Sequence, residues 1–600
     1  MEYITSGPLE TGLDVWITII AIGLFMWSIP FAIFSCCMYG KRLSKQKCLV
    51  NSNIYIIFFV SGISMGILWH LIGYEWRLGN KYWANGKNGE KALFSPWTAT
   101  YHTNHKILLL VPKTENELRE NVLSAGFQCK GRGIRVVGSG HSWSATGFSN
   151  CLMIDIRLLN NVIRFDGKTI TVQAGMKVQE LVNYLFQRKY CIYGAGSIRA
   201  QSIGGVVSQG VHGPHPDGFN RHVVGLRVLL ANGTFMEINS NSNAYDMYMW
   251  RASMGMLGVI VETTLEVFPL QWLRLERSAI ISFSELDNME KHLNPSTATT
   301  YTGFLYPLST SFFSCSWKKH IGWKRVGYFI NTSTAEKHGN VQNIELKNQS
   351  DFSSRLLLQF NDHMHAAMQY ISFGYLGNII TCMEQVFADW GHSVMLSGPE
   401  YDVLPNDGLI PQFYELIDYE YMVPLQHCRR FAEELMIEQK FGRVLVPICL
   451  RLVRAEISCF SMAQEDSCIF AIQSMRGMAY TLNPIAIEKR VGELGGRSHL
   501  GKVAAGNFKY FKFDCIEKFK DYRQQMDPEN LFMTSFSETV LYQHLSPNHI
   551  GEFSLVTYSR HISILRSYVF GAAVYCIVFG AFYFVNRLYK KEINMYTLIP

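Results

Sequence analysis

The stretch Gly133–Asn150, GIRVVGSGHSWSATGFSN, decides how the chain is read. A short apolar run, Ile134–Val137, leads into Gly138-Ser139-Gly140, and His141 and Ser142 follow. Small residues at such a corner let backbone N–H groups close on an anion. A strand–loop–helix dinucleotide fingerprint needs a third glycine three residues on, with a helix behind it. Here that position is Trp143, and the residues after it have no helical spacing. A phosphate loop of the Gly-Lys-Ser/Thr kind is absent as well. If the corner holds a phosphate, it does so by loop backbone.

Two further stretches share its character. Gly196–Gly213, GSIRAQSIGGVVSQGVHG, carries Gly196-Ser197, Gly204-Gly205 and His212-Gly213. Ser253–Pro269, SMGMLGVIVETTLEVFP, puts Gly255 and Gly258 just before a strand-like run. Three small-residue loops, each abutting a strand, suit a long dinucleotide threaded between sheets.

Around these loops residues ~100–270 alternate short strands with a few helices, an α+β pattern. Strand-like and helical pieces also mix from Gln271 to about Arg497, which predicts a second domain, a sheet with covering helices. Residues 318–352 are polar and rich in turn formers, so an exposed insertion is expected there. Residues 498–540 are predicted to pack back on the first domain.

Charged residues make up 17% of the 600-residue chain, against about 25% for an ordinary soluble protein. Membrane segments would lower that fraction, and three uncharged apolar runs qualify: 15–39, 54–74 and 567–585. Each is near the ~20 residues that cross a hydrocarbon core. Lys41, Arg42, Lys45 and Lys47 follow the first run, and Arg587, Lys590 and Lys591 follow the third. By the positive-inside rule both flanks are cytoplasmic, and the region between the second and third runs lies on the other side. Sequons at Asn232, Asn331 and Asn348 fit a lumenal region. Ten of the 14 cysteines lie between residues 75 and 561 with no zinc-like spacing, and their pairing is not legible. The net charge of +7 is modest, and no nucleic-acid motif is present.

The motifs VVGSGHS, TVQAG, SIRAQSIGGVVSQGVHG, GMLGVIVETTLEVFP, EYMVP, GGRSHLGK and MDPENLFMTSF occur in that order between Ser95 and Tyr542. Together they resemble the aldonolactone oxidoreductase family of vanillyl-alcohol-oxidase-type FAD enzymes. The resemblance implies a two-domain FAD fold of α+β class. Residues 95–270 would bind FAD, 271–497 would form the substrate (cap) domain, and 498–545 would return to the FAD domain. Residues 1–94, with two spans, and 546–600, with one, would be membrane-associated. The implied FAD cradle comprises Gly138, Ser139, Gly140, His141, Ser142, Gly196, Ser197, Ile203, Gly204, Gly205, His212, Gly213, Gly255, Leu257, Gly258, Val259 and Ile260. His141 matches the histidine that carries the flavin covalently in the family's oxidases. Gly196 matches a position where a small residue leaves room for O2.

The implied reaction is oxidation of a sugar 1,4-lactone at its C2 hydroxyl by O2, giving H2O2 and an ascorbate-type product in an endoplasmic reticulum membrane. The implied catalytic residues are Glu420, Arg451, His499 and Lys502. Glu420 and His499 would handle protons, Arg451 would stabilise anionic charge, and Lys502 would bind substrate oxygens or the flavin. Three positions depart from the family pattern. Cys449 stands where the family's Glu-x-Arg has its glutamate, Leu500 replaces the tryptophan of His-Trp-x-Lys, and Pro214 follows His212-Gly213. A thiol with reference pKa near 8.5 is mostly neutral where a carboxylate would be charged. The alternatives are therefore a flavoprotein with a binding role, or an FAD oxidoreductase for another alcohol or a sterol.

Overall fold

The computed structural model describes most of residues 87–282 and 416–542, a turn at 286–287, and strands at 300–305, 325–334, 394–399 and 553–555. These lie in one compact unit drawn from residues 81–362 and 378–556. The apolar runs 15–39, 54–74 and 567–585 fall outside the described residues. Among the described residues no helix is long and apolar enough to cross a membrane.

The first sheet presents the glycine corner. Ile107–Leu110 and Arg135–Val137 both run parallel to Leu152–Asp155, which lies between them. Parallel strands need a crossover, and the helix Glu115–Cys129 supplies it. Its start is fixed locally. The Glu117 N–H donates to Thr114 Oγ1 at 3.2 Å, an N-cap bond, and the Glu117 carboxylate accepts from the Lys113 N–H at 2.8 Å, tying down the residue before the cap. Leu118, Val122, Ala125 and Cys129 form its buried stripe. A disulfide from Cys129 to Cys151 fastens its end to the start of the central strand. Gly138 begins at the carboxyl end of a parallel strand, where ligands bind in open α/β sheets.

The second sheet is antiparallel, in the order Phe235–Asn239, Val223–Leu229, Val259–Glu266, Thr169–Gln173, Val162–Phe165. The turn Asn232-Gly233 closes its first hairpin, with Gly233 at φ +79° and the exposed Asn232 accepting from the Thr234 N–H at 2.9 Å. The third sheet has nine strands. Its part nearest the site runs Thr300–Leu305, Ile448–Val453, Ser467–Met475, Leu416–Pro424, Arg497–Ser498, all antiparallel. Helices Cys428–Met436 and Pro484–Glu493 pack on Leu416–Pro424. The Asn483 side chain caps the second of these, accepting from the Ala486 N–H at 3.1 Å.

Two expectations are corrected. Arg325–Thr334 is not part of an exposed insertion: it is a ten-residue strand paired on both sides, with Trp272–Arg277 and Thr300–Leu305. Pairing satisfies its backbone on both edges, which its polar end, NTST, does not advertise. The Asn331 sequon therefore lies inside a strand rather than in a loop, and Asn348 falls outside the described residues. The second correction is at Ile203–Gln209, which is a seven-residue helix and not a loop. Its Gly204-Gly205 pair weakens the helical signal in sequence. Its first amides are already engaged, with the Ile203 N–H on Met176 O and the Gly204 N–H on Ala174 O, both at 2.8 Å.

Candidate active site

Strand alternation sorts the residues of the large sheet. On Leu416–Pro424, Asp418, Glu420 and Met422 share one face, and Tyr419, Tyr421 and Val423 the other. Cross-strand register then sets Glu420 opposite Ala471, and Ala471 opposite Cys449. Arg451 follows on the same face as Cys449. On Ile448–Val453 every residue is buried except Cys449 and Arg451, and within Ser467–Ile472 every residue is buried except Ala471. The face is thus open over a row of three side chains, with Glu420 at one end.

Glu420 is buried and meets the His212 Nε2–H through Oε1. Its other oxygen lies 3.5 Å from the Lys502 ammonium, and Lys502 also contacts Asp418 Oδ2. The Lys502 ammonium sits 5.6 Å from the centroid of the Trp143 ring. His499 stands beside them, with its ring centroid 5.6 Å from that of His212. Its Nδ1 accepts the Gly501 N–H at 3.0 Å, which leaves the proton of the neutral ring on Nε2.

The charges follow from these contacts. Burial alone would raise the Glu420 carboxyl, but His212 and Lys502 outweigh it and hold it well below the usual carboxylate range. Burial pushes Asp418 up, against the pull of Lys502 and with the repulsion of Glu420. Burial opposes the Lys502 charge too, yet Asp418 and Glu420 prevail and raise it. Burial lowers His499 to about 3, so its ring is neutral near pH 7. Near pH 7 the cluster holds an ionised Glu420, a cationic Lys502 and a neutral His499. His212, Glu420 and His499 each bring a ligand atom within 4.8 Å of the others, a spacing that a metal ion also tolerates. A cation already faces the second oxygen of Glu420, which favours proton exchange over metal binding.

The turn His499–Lys502 straps the glycine corner to this cluster. Gly501 O accepts from the Trp143 N–H at 2.7 Å and from Ser142 Oγ at 3.1 Å, and Leu500 O accepts from Ser144 Oγ at 2.8 Å. Leu500 is fully buried there, filling space as packing. Arg451 donates to Ser197 Oγ at 3.1 Å, linking the large sheet to the second glycine stretch. Arg135 ties the third stretch and the chain end to the first strand, donating to Met254 O at 2.9 Å and to Thr534 Oγ1 at 2.8 Å.

The other sequence-derived residues fall as follows. Gly140 has φ +65°, and a Cβ there would meet nothing within 4 Å, so the corner opens on space. Gly138 is the opposite, since a Cβ would lie 1.8 Å from Ser202 Oγ. Ser139 lies between them. His141 is half-buried, and burial together with the nearby Lys177 charge lowers its imidazole to about 4. At Gly196 a Cβ would lie 2.9 Å from Val211 Cγ1, so that direction is filled rather than vacant. Gly205 is in the first turn of the short helix, and its Cβ would face Ser202 Oγ at 3.2 Å. His212, in the implied cofactor cradle, also partners Glu420. Gly213 closes on Ala195 O, where a Cβ would come within 2.0 Å. Gly255 and Gly258 both have positive φ, +70° and +152°. Leu257, Val259 and Ile260 are buried. Near these loops Gln201 Oε1, Gln209 Oε1 and Ser253 Oγ are buried with no hydrogen-bond partner among the described residues. Unmatched acceptors call for ligand O–H or N–H donors and open glycine backbone suits a phosphate, a combination that a dinucleotide such as FAD offers. Asp418 was missed by sequence reasoning, although the alternation in LIDYEYMVP places it on the face of Glu420.

Known proteins resemble this chain in sequence and in fold. Residues 107–239 match the family described as FAD binding domain, and residues 327–540 match D-arabinono-1,4-lactone oxidase. L-gulonolactone oxidase of Mus musculus is 25% identical over 469 residues, which cover 75% of this chain and 98% of that protein. L-gulono-1,4-lactone dehydrogenase of Mycobacterium tuberculosis is 24% identical, over 72% of this chain and 95% of the other. Cholesterol oxidase from B. sterolicum superposes with a TM-score of 0.54 at 12% identity, covering 76% of this chain and 98% of that one. The last is a likeness of fold alone.

Proposed function

We propose, from the premise that this chain belongs to the aldonolactone oxidoreductase family of FAD-binding enzymes, that it oxidises the C2 hydroxyl of a sugar 1,4-lactone, with O2 as acceptor and H2O2 as by-product. The observation that carries the reading is the buried Glu420–Lys502 pair beside the open row of Ala471, Cys449 and Arg451, strapped to the glycine corner. FAD, when bound, supplies the two-electron acceptor, and the protein supplies position and charge. Gly138, Ser139, Gly140 and Ser142, with the Gly255–Gly258 turn, would hold it.

Glu420, kept ionised, takes the proton of the substrate hydroxyl. His212 steadies the carboxylate through Oε1. The Nε2–H of His499 is oriented by the Gly501 amide as a donor to a lactone oxygen. Lys502 and Arg451 oppose negative charge as it develops. Cys449 brings a thiol rather than a carboxylate to the row, so substrate hydroxyls there meet a weak acceptor. His141 is the attachment point for the flavin. Its depressed basicity keeps the ring neutral near pH 7, as a nucleophilic nitrogen must be.

The test is purified, detergent-solubilised protein offered a panel of aldonolactones with peroxide detection. L-gulono-1,4-lactone or a near relative is expected to give peroxide, and acid-precipitated protein is expected to stay fluorescent. A colourless protein, or one inert to every lactone, removes the reading, and flavin released by acid removes only the covalent link.

The setting we propose is the endoplasmic reticulum membrane, with the catalytic region lumenal. Three disulfides among the described residues, Cys129–Cys151, Cys428–Cys468 and Cys459–Cys515, support an oxidising compartment. The apolar runs 15–39, 54–74 and 567–585 support anchorage. The protein is expected to resist alkaline carbonate extraction, and release into the supernatant argues against anchorage.

A further inference from the structure

The buried cluster holds one more acid than the proposed reaction consumes. Asp418 is 5% exposed, two residues before Glu420 on the same strand face. Its Oδ2 accepts from the Lys502 ammonium, while Oδ1 is buried and accepts no hydrogen bond. Lys502 is faced by Asp418, by Glu420 at 3.5 Å and by the Trp143 ring. Arg451 repels it from Ile448–Val453, His499 shares its turn, and His212 lies beyond Glu420.

We propose that Asp418 is the positioning residue for Lys502, holding the ammonium between Glu420 and the Trp143 ring while the charge on Glu420 changes. The inference rests on the reading of the site as a flavin-linked alcohol-oxidising centre. The need for such a residue follows from charge conservation. When Glu420 takes up the hydroxyl proton it becomes neutral, and Lys502 loses one of its two counter-charges. A buried ammonium with no carboxylate partner is strongly disfavoured and tends to lose its proton. Asp418 prevents that. It keeps its own contact to Lys502, and the loss of the Glu420 charge makes Asp418 easier to keep ionised. One carboxylate thereby remains ionised beside Lys502 throughout, and Lys502 stays cationic and fixed on both sides of the proton transfer. Arg451 belongs to a different strand and bears the same sign, so it cannot replace Asp418. Asp418 itself abstracts no proton from substrate.

The experiment is Asp418→Asn in the full chain, read in two ways. The first is acylation of Lys502 by acetic anhydride as a function of pH, followed by peptide mass. Loss of the Asp418 charge lowers the Lys502 pKa, so acylation at pH 9 is expected to quicken by at least about tenfold, one unit of pKa. The second is the pH profile of flavin reduction by L-gulono-1,4-lactone. Its alkaline limb is expected to move to lower pH, with kcat falling more than KM rises, and Asp418→Glu is expected to restore both. Unchanged acylation and an unmoved alkaline limb, with flavin retained, would overturn the proposal. If no lactone reduces the flavin even in the parent protein, the functional reading fails while acylation still decides this one. If Asp418→Asn does not accumulate, the double variant Asp418→Asn/Lys502→Met removes both charges and is expected to recover folded, flavin-loaded protein. Failure to recover it counts against a charge-pairing role.

Discussion

Glu420→Gln is expected to lower the rate of flavin reduction by L-gulono-1,4-lactone by about 10²–10⁴-fold, the usual contribution of a positioned base. That is roughly 3–5 kcal/mol of barrier. The substitution keeps the shape of the side chain and removes its charge. His212 then faces an amide, and Lys502 keeps Asp418 as its only carboxylate contact. The fall is expected in kcat and in kcat/KM alike, because the lost interaction develops with the transition state. Flavin content is expected to hold, since glutamine keeps the side chain's volume and an oxygen that can still accept from His212. The measurement is anaerobic bleaching of the flavin band, with bound flavin counted in the same sample. A rate within threefold of the parent would remove Glu420 from proton transfer.

The second large effect is on stability. Replacing Cys459 and Cys515 together by serine is expected to destabilise the catalytic unit by about 4 kcal/mol, from loop closure over their separation of 56 residues. Cys459 lies in the connection between two strands of the large sheet, and its N–H donates to Tyr248 O at 3.1 Å. Cys515 opens the helix Ile516–Met526, downstream of the turn that bears His499 and Lys502. The bridge therefore pins the catalytic turn's own segment to the sheet opposite it. A lower midpoint in guanidinium and faster loss of flavin on heating are expected. An unchanged midpoint would mean that packing of Phe460 against Phe513 and Phe519, with ring centroids at 5.1 and 4.7 Å, already supplies the constraint.

The parts of the fold that sequence made legible are those with local causes. The capped helix Glu115–Cys129, the hairpin at Asn232-Gly233 and the strand Ile448–Val453 each carry their signal within a few residues. The glycine stretches were legible for the same reason. What remained hidden depends on distant partners. Nothing near His212 announces that its ring meets Glu420, 208 residues away. Ten cysteines between residues 75 and 561 admit many pairings, and only the fold brings Cys459 to Cys515. Gly204-Gly205 disguised a short helix, because helix propensity is weak against tertiary packing. Asp418 was within reach, since a carboxylate on the same strand face as another, inside an apolar run, needs a buried cation, and Lys502 answers that need.

Gly501 has a consequence of its own. Its carbonyl gathers the amides of Trp143 and Ser144 and the hydroxyl of Ser142 onto a single oxygen. Pigment loading and assembly of the acid–base face are therefore thermodynamically linked. Whatever loosens this knot weakens both, and whatever tightens one tightens the other.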